Sequence, residues 1–316
     1  MLDKSEKIFV AGHRGMVGSA LIRRLESEGF SNLLVRDRSK LDLRDESAVA
    51  KFFAQEKPSV VILAAAKVGG IKANNDFPVE FLIENLRIQN NVIQAAHEND
   101  ARKLLFLGSS CIYPKLAPQP IPETALLSGP LEPTNEAYAI AKIAGIKLCQ
   151  AYARKHDANF ISVMPTNLYG PNDNFDSETS HVLAALLRKA HEAKTRKDRE
   201  LIVWGSGKPR REFLHVDDLA SACALLLEQY DSPEIINVGC GEDISIRELA
   251  ELTCDVVGFD GELTWDANKP DGTPRKLLDV TKLRALGWKP SIPLRNGITR
   301  TYEWFLANYV PNASQR

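Results

Sequence analysis

Tyr138 and Lys142 stand four residues apart in a stretch with helical apolar spacing, so a helix over 135–156 puts a phenol and an ammonium on one face. An ammonium beside a phenol favours the phenolate and brings the tyrosine toward neutrality, where it serves as acid or base for a hydroxyl or carbonyl. The pair alone is common by chance. It gains meaning from Ser109-Ser110, which follow an apolar run at 104–108 and place a hydroxyl at the end of a strand to hold the reacting oxygen. Upstream, Gly12-His13-Arg14-Gly15-Met16-Val17-Gly18 closes one strand and opens a helix. Glycines at 12, 15 and 18 permit a tight turn, close approach of backbone to a pyrophosphate, and close packing of helix on strand. The helix N-terminus adds free N–H groups and a positive dipole end. Together the three features read as hydride transfer between a bound dinucleotide and an alcohol or ketone.

The end of the second strand selects the dinucleotide. An NAD site usually has a carboxylate there for the ribose 2′-hydroxyl; this chain has Arg36-Asp37-Arg38. Those guanidiniums, with Arg14, suit a 2′-phosphate through paired hydrogen bonds, and Asp37 reads as a partner for one of them. The charge balance favours NADP. Asp42-Leu43, just beyond, is placed to cap the adenine, although an aspartate there also suits a turn or a helix N-cap.

The elements that must position these groups alternate regularly. Strands are expected at 7–11, 33–36, 60–64, 104–108, 160–164 and 235–238, and helices at 16–28, 45–55, 78–99, 135–156, 245–257 and 280–286. Val60-Val61-Ile62-Leu63 is wholly apolar, as a parallel strand covered on both faces should be. The pattern predicts an α/β fold, a doubly wound parallel sheet built from residues 1–166 and rejoined by about 213–240. A smaller substrate-binding part would hold 167–212 and 241–316. The charged run 188–200 reads mostly as a solvated helix and its exit. A net charge of −1 favours neither a nucleic acid nor an anionic membrane as partner. The longest apolar run, 60–66, is too short to cross a bilayer, and the polar start is no signal peptide. Five cysteines at irregular spacing suggest neither a metal site nor a disulfide framework, so a cytoplasmic setting is expected.

Further segments carry a resemblance. They are Ala64-Ala65-Ala66-Lys67-Val68-Gly69-Gly70-Ile71, Gly108-Ser109-Ser110-Cys111-Ile112-Tyr113-Pro114, Glu132-Pro133-Thr134-Asn135-Glu136, Met164-Pro165-Thr166-Asn167-Leu168-Tyr169-Gly170-Pro171, Arg211-Glu212-Phe213-Leu214-His215-Val216-Asp217-Asp218 and Pro270-Asp271-Gly272-Thr273-Pro274-Arg275-Lys276. With the glycine loop they span nearly the whole chain, which resembles the nucleotide-sugar enzymes of the extended short-chain dehydrogenase/reductase family, and within it the 3,5-epimerase/4-reductases acting on GDP-4-keto-6-deoxy-D-mannose. The resemblance implies a Rossmann fold, NADP(H), a GDP-sugar substrate and a homodimer. It implies Ser109, Tyr138 and Lys142 for hydride transfer, and Cys111 with His181 for epimerisation. It also implies cofactor contacts at Ala65, Leu107, Gly108, Lys142, Pro165, Asn167, Leu168 and His181. Substrate contacts would fall at Asn167, Lys189, Trp204, Arg211, Asp271 and Lys276. Where the resemblance leads one to expect arginine, this chain has Lys189, turning a paired contact to the diphosphate into a point charge.

The chemistry has a use for these types. A 4-keto group acidifies C3–H and C5–H, and inversion needs one group on each side of the ring; a thiol and an imidazole both exchange protons near neutrality. Donors at Ser109 and Tyr138 would stabilise an enolate on O4 and then the alkoxide. Cys149, Cys223 and Cys254 read as small buried hydrophobes. His13 and His215 read as structural, and His97, His156 and His191 as exposed. Trp204, by pattern alone, fits plain core. The rival readings are a nucleotide-sugar 4-epimerase or 4,6-dehydratase of the same fold, or a non-catalytic dinucleotide-sensing regulator. A dehydratase needs an acidic pair after the loop serine, which Ser110-Cys111 does not provide; a plain 4-epimerase has no use for Cys111 with His181; a regulator has no need of both Tyr138 and Lys142.

Overall fold

The wholly apolar segments become fully covered strands. In the computed structural model, which describes residues 2–269 and 271–310, β1 (Ile8–Ala11), β3 (Val60–Leu63), β4 (Lys103–Leu107) and β5 (Phe160–Pro165) are buried along their whole lengths. Met1, Pro270 and 311–316, which fall within the expected N-terminal stretch, the 270–276 motif and the C-terminal part, lie outside the described residues. With β2 (Leu33–Leu34) and β10 (Ile236–Val238), these strands form one parallel sheet in the order β10-β5-β4-β3-β1-β2. The order reverses between β1 and β3, so a crevice opens at their carboxyl ends, the usual ligand site of a doubly wound sheet. β2 is two residues shorter than expected: Arg36 turns away to bond Glu56 Oε1 at 2.7 Å and its neighbour's carbonyl at 2.8 Å.

Helices cover both faces. On one side α2 (Glu46–Glu56), α4 (Pro78–Glu98) and α5 (Glu136–His156) enclose a core that includes Phe53, Val92, Ile146 and Cys149. On the other, α1 (Met16–Ser27) packs against α7 (Val216–Gln229) around Leu21, Leu105, Leu219 and Cys223. Local sequence sets the ends. Asp45 caps α2 by accepting from Ala48 N at 3.0 Å, and Pro78 starts α4, where its missing N–H costs nothing. The short α3 (Ile71–Asp76) precedes α4.

Beyond β5 the elements are short. β6 (Asn167–Tyr169) pairs with β9 (Phe213–His215). α6 (Val182–Arg196) packs against α8 (Ile246–Val257) and β7 (Glu200–Trp204), which pairs with β12 (Glu262–Asp266). β8 (Arg210–Arg211) lies between β11 (Ile244–Ser245) and β13 (Arg275–Lys276). A third core joins these elements with α10 (Leu294–Trp304) through Leu187, Val203, Leu249, Ile298 and Phe305. One segment departs from the expected division. Residues 277–288, including α9 (Thr281–Ala285), pack back on the sheet: Leu278 and Val280 join the core under α4 and α5, Leu283 and Trp288 the core under α1 and α7. Their apolar side chains complete the sheet's two faces, whatever their place in the sequence.

Candidate active site

β1 delivers the chain to Gly12, which has φ +88°; a Cβ there would stand 2.7 Å from Ala65 N, so the loops after β1 and β3 meet only across a glycine. A Cβ at Gly18 would lie 2.1 Å from Gly12 O, so α1 can approach the turn this closely only without a side chain. The N-terminus of α1 thereby faces a cavity of about 920 Å³. Its walls include Gly12, Gly15, Gly18, Arg38, Asp42, Leu43, Ala65, Leu107, Gly108, Pro165, Asn167 and Leu168. This cradle, with backbone N–H groups at its glycine end, fits a dinucleotide.

The arginines divide their work. Arg14 does not line the cavity: its Nε bonds Asp37 Oδ1 at 2.6 Å, with His13 Nε2 3.4 Å from the same oxygen. Asp37 is thus engaged within the protein. Arg38 lines the cavity, 68 % exposed and 3.9 Å from both Asp42 and Glu84, which leaves its guanidinium available to a phosphate. Arg44, unmarked in the sequence, also lines the cavity; its hydrogen bonds hold the Asp42 carboxyl down to about 2 despite partial burial.

Ser109, Cys111, Tyr138, Lys142 and His181 come together on the same cavity. Tyr138 lies in the first turn of α5, edge-on to Phe81. Lys142 is buried beneath it, donating to Leu107 O at 2.7 Å. The expected phenolate is not what this surrounding produces. Burial pushes the Tyr138 phenol well above its ordinary value, the Cys111 charge adds to that, and the Ser109 hydroxyl only partly offsets it. Burial also brings Lys142 down to about 7, so the ammonium that was to acidify the phenol is itself easily neutralised. Tyr138 is therefore loaded with its proton, as a donor must be.

The thiol is treated in the opposite way. Cys111 sits in the 3₁₀ turn Ser110–Ile112, and its own N–H donates to Ser109 Oγ at 3.2 Å. Burial alone would raise its pKa. Lys276 Nζ, 3.4 Å from Sγ, the Ser109 hydroxyl and Arg211 together bring it below the ordinary thiol value. The parallel register of β13 on β8 sets Lys276 opposite Arg211 and so builds this cationic wall. Buried Glu212 anchors it by accepting from Gly241 N at 2.6 Å and Leu278 N at 3.0 Å. His181, at the start of α6, faces the cavity; the surrounding protein and the Lys276 charge depress its pKa.

Other expected substrate contacts lie outside the cavity's own lining. Trp204 is 54 % exposed, so it is no core residue; Lys189 Nζ and Lys269 Nζ each stand 5.1 Å from its ring. Asp271 accepts from Ser206 N and Oγ, both at 2.7 Å, and leads into Gly272 and Thr273, which line the cavity. His97 and His191 are half-buried, not exposed as expected: the His97 ring packs at a tilt against Tyr152 and His156, and His191 Nδ1 bonds Tyr302 Oη at 2.9 Å. Asn74, Glu132, Thr134, Asn135, Asp173 and Thr179 also line the site. Glu132, Thr134 and Asn135 fall in a segment that carries the resemblance but no expected role; Asn74, Asp173 and Thr179 carry no mark in the sequence, because isolated polar residues in turns look like punctuation. Among the described residues no group of three or more His, Cys, Asp or Glu could hold a metal, and no helix is long and apolar enough to cross a membrane.

A doubly wound sheet, a glycine-lined dinucleotide crevice and a Ser-Tyr-Lys centre define the class, and comparison agrees: the model of the NAD dependent epimerase/dehydratase family matches residues 8–239, and the chain belongs to that family. More narrowly, it is 64 % identical over 310 residues to putative GDP-L-fucose synthase 2 of Arabidopsis thaliana, covering 98 % of this chain and 94 % of that one. It is 56 % identical over 312 residues to the GDP-L-fucose synthase of Escherichia coli (strain K12), covering 96 % and 97 %. A solved structure of a GDP-L-fucose synthetase from Naegleria fowleri bound to NADP superposes with a TM-score of 0.90 at 32 % identity, covering 98 % of this chain and 96 % of that one.

Proposed function

We propose that this chain converts GDP-4-keto-6-deoxy-D-mannose to GDP-L-fucose, epimerising C3 and C5 and then reducing the C4 ketone with NADPH. The observation that carries the reading is one cavity walled by two sets of proton-handling groups: Ser109, Tyr138 and Lys142 at one place, Cys111 beside Lys276 with His181 at another. The relatives named above and the NADP-bound neighbour support it.

The roles follow from the charge states. Cys111 Sγ, held toward the thiolate, takes the proton from C3 or C5. The negative charge moves to O4, where Ser109 Oγ and Tyr138 Oη donate to it. His181 serves the other face; its depressed pKa keeps the ring largely neutral near pH 7, so it takes up a proton before it returns one to carbon. Reduced nicotinamide, when bound, supplies the hydride that C4 receives. Tyr138 Oη then gives its proton to O4, and buried Lys142 adjusts the charge behind it. Arg38 selects the 2′-phosphate. Arg211, on the cavity wall, and Lys189, farther out, receive the diphosphate, and Trp204 and Asp271 lie beside the nucleoside outside the cavity's lining.

Two copies form the working unit, through α4 and α5; Val79 and Ile83 on the first and Ile140 on the second are apolar and exposed, as an interface requires. A thiol that must stay free suits the reducing cytoplasm.

The test follows NADPH absorbance with GDP-4-keto-6-deoxymannose and deuterium entry at C3 and C5 by NMR in D2O. Tyr138→Phe should lose NADPH oxidation yet keep some exchange. Cys111→Ser should lose exchange, because an alcohol forms no basic anion near neutral pH. Wild-type exchange in Cys111→Ser would reverse the roles.

A further inference from the structure

Asn74 is 6 % exposed and lies in α3 on the wall of the active-site cavity. Its amide orientation is settled by its neighbours: Nδ2 donates to Gly69 O at 2.7 Å and Gly70 O at 3.0 Å. Oδ1 therefore points elsewhere, and it is buried with no hydrogen-bond partner. A buried acceptor left unpaired costs free energy unless a ligand completes it. Asn135 repeats the pattern. It occupies the N-cap position of α5 without making the usual side-chain cap, lines the same cavity, and also leaves a buried Oδ1 unpaired. The two are on touching elements, since α3 packs against the 3₁₀ turn Pro133–Asn135. Asn135 is three residues from Tyr138, so both side chains lie toward the same end of α5.

We propose that Asn74 and Asn135 are specificity-determining residues whose two orphan carbonyl oxygens share the single O–H of one hydroxyl of the sugar ring, that on C2, in a three-centre hydrogen bond. The assignment rests on the proposed function. The choice of C2 follows from the chemistry: epimerisation reorients the groups on C3 and C5, and reduction changes C4. Among the hydroxyl-bearing ring carbons, C2 alone keeps its configuration from substrate to product. Rigid acceptors suit the hydroxyl that does not move, and Asn74 is rigid because two hydrogen bonds fix it. Those bonds give it a second effect. Gly70 N donates to Thr179 O at 2.8 Å, and a Cβ on Gly70 would lie 2.5 Å from Ser180 O. The turn that Asn74 ties thus presses on the residues immediately before His181, so the acceptor for C2 and the acid for epimerisation share one support.

The experiment compares kcat and KM for GDP-4-keto-6-deoxymannose and its 2-deoxy analogue in wild type, Asn74→Ala and Asn135→Ala, with NADPH affinity measured by fluorescence titration. Wild type should lose about tenfold or more in kcat/KM on the 2-deoxy substrate. Asn135→Ala should lose a comparable factor on the natural substrate, mostly in KM, and little on the analogue, with NADPH affinity unchanged; Asn74→Ala should lose that factor too and, through the turn before His181, a further kcat loss common to both substrates. Asn135→Ala removes no side-chain hydrogen bond to any of the described residues, so its cycle decides the matter if Asn74→Ala fails to fold. Equal losses on both substrates would mean a purely structural role and overturn the proposal, as would a wild type indifferent to the 2-hydroxyl. Wild type that oxidises no NADPH with the natural substrate would instead overturn the proposed function, and this assignment with it.

Discussion

At the scale of single residues, the site works by giving two acids opposite treatment within one cavity. Tyr138 is kept protonated by burial, while Cys111 is drawn toward its anion by Lys276. Removing the Lys276 charge should raise the thiol pKa, because the thiolate loses its nearest cation. In Lys276→Met, iodoacetamide should label Cys111 more slowly at pH 7, with the midpoint of the rate profile moved upward; an unmoved midpoint would remove Lys276 from this role. Lys142 offers a second pH test. With its pKa brought to about 7, it is an ammonium below that pH and an amine above it. An anionic dinucleotide meets one more positive charge on the acid side, so NADPH should bind more tightly as pH falls through 7. Lys142→Met should flatten that dependence in fluorescence titrations at pH 6 and pH 8. Tyr138 with Lys142 was legible in the sequence because four residues of helix fix their relation. The resemblance marks Lys276 only as a substrate contact; its place beside Cys111 was not legible, since the register of two-residue strands far apart in the chain decides it. Asn74 and Asn135 were not legible at all: only coordinates reveal that a buried oxygen has no partner.

At the scale of elements, length decided what could be read. The long helices α4 and α5 and the apolar strands β3 and β4 emerged close to their expected bounds, because several turns or a continuous apolar run outweigh local exceptions. Strands of two or three residues, such as β6, β8, β11 and β13, carry no usable alternation; partners distant in sequence define them. The glycine loop shows how an element end can be tested. Gly18→Ala would set a methyl against backbone, where nothing flexible can yield, and should cost on the order of 3 kcal/mol of stability as well as NADPH binding. Gly15→Ala would meet only Gly12 O at an ordinary 3.5 Å, so its thermal midpoint should hardly change while NADPH affinity falls. Thermal unfolding beside cofactor titration separates the two; equal midpoints would contradict the packing argument.

At the scale of the whole molecule, the apolar side chains left outside α4 and α5 are the feature that asks for a second copy. Ile83→Glu combined with Ile140→Glu should turn a dimer into a monomer by light scattering while leaving the sheet's own cores untouched; a wild type already monomeric at micromolar concentration would end that reading. The return of residues 277–288 to both faces of the sheet has a consequence for how the protein is made. A nascent chain that has just delivered β10 holds all six strands of its sheet, yet Leu278, Val280, Leu283 and Trp288 are still inside the ribosome or not yet synthesised. Until they emerge, both faces of the sheet keep apolar surface open to whatever else is in solution. Birth of a stable molecule therefore waits for residues 277–288 to leave the ribosome and is not complete at the last strand of the sheet.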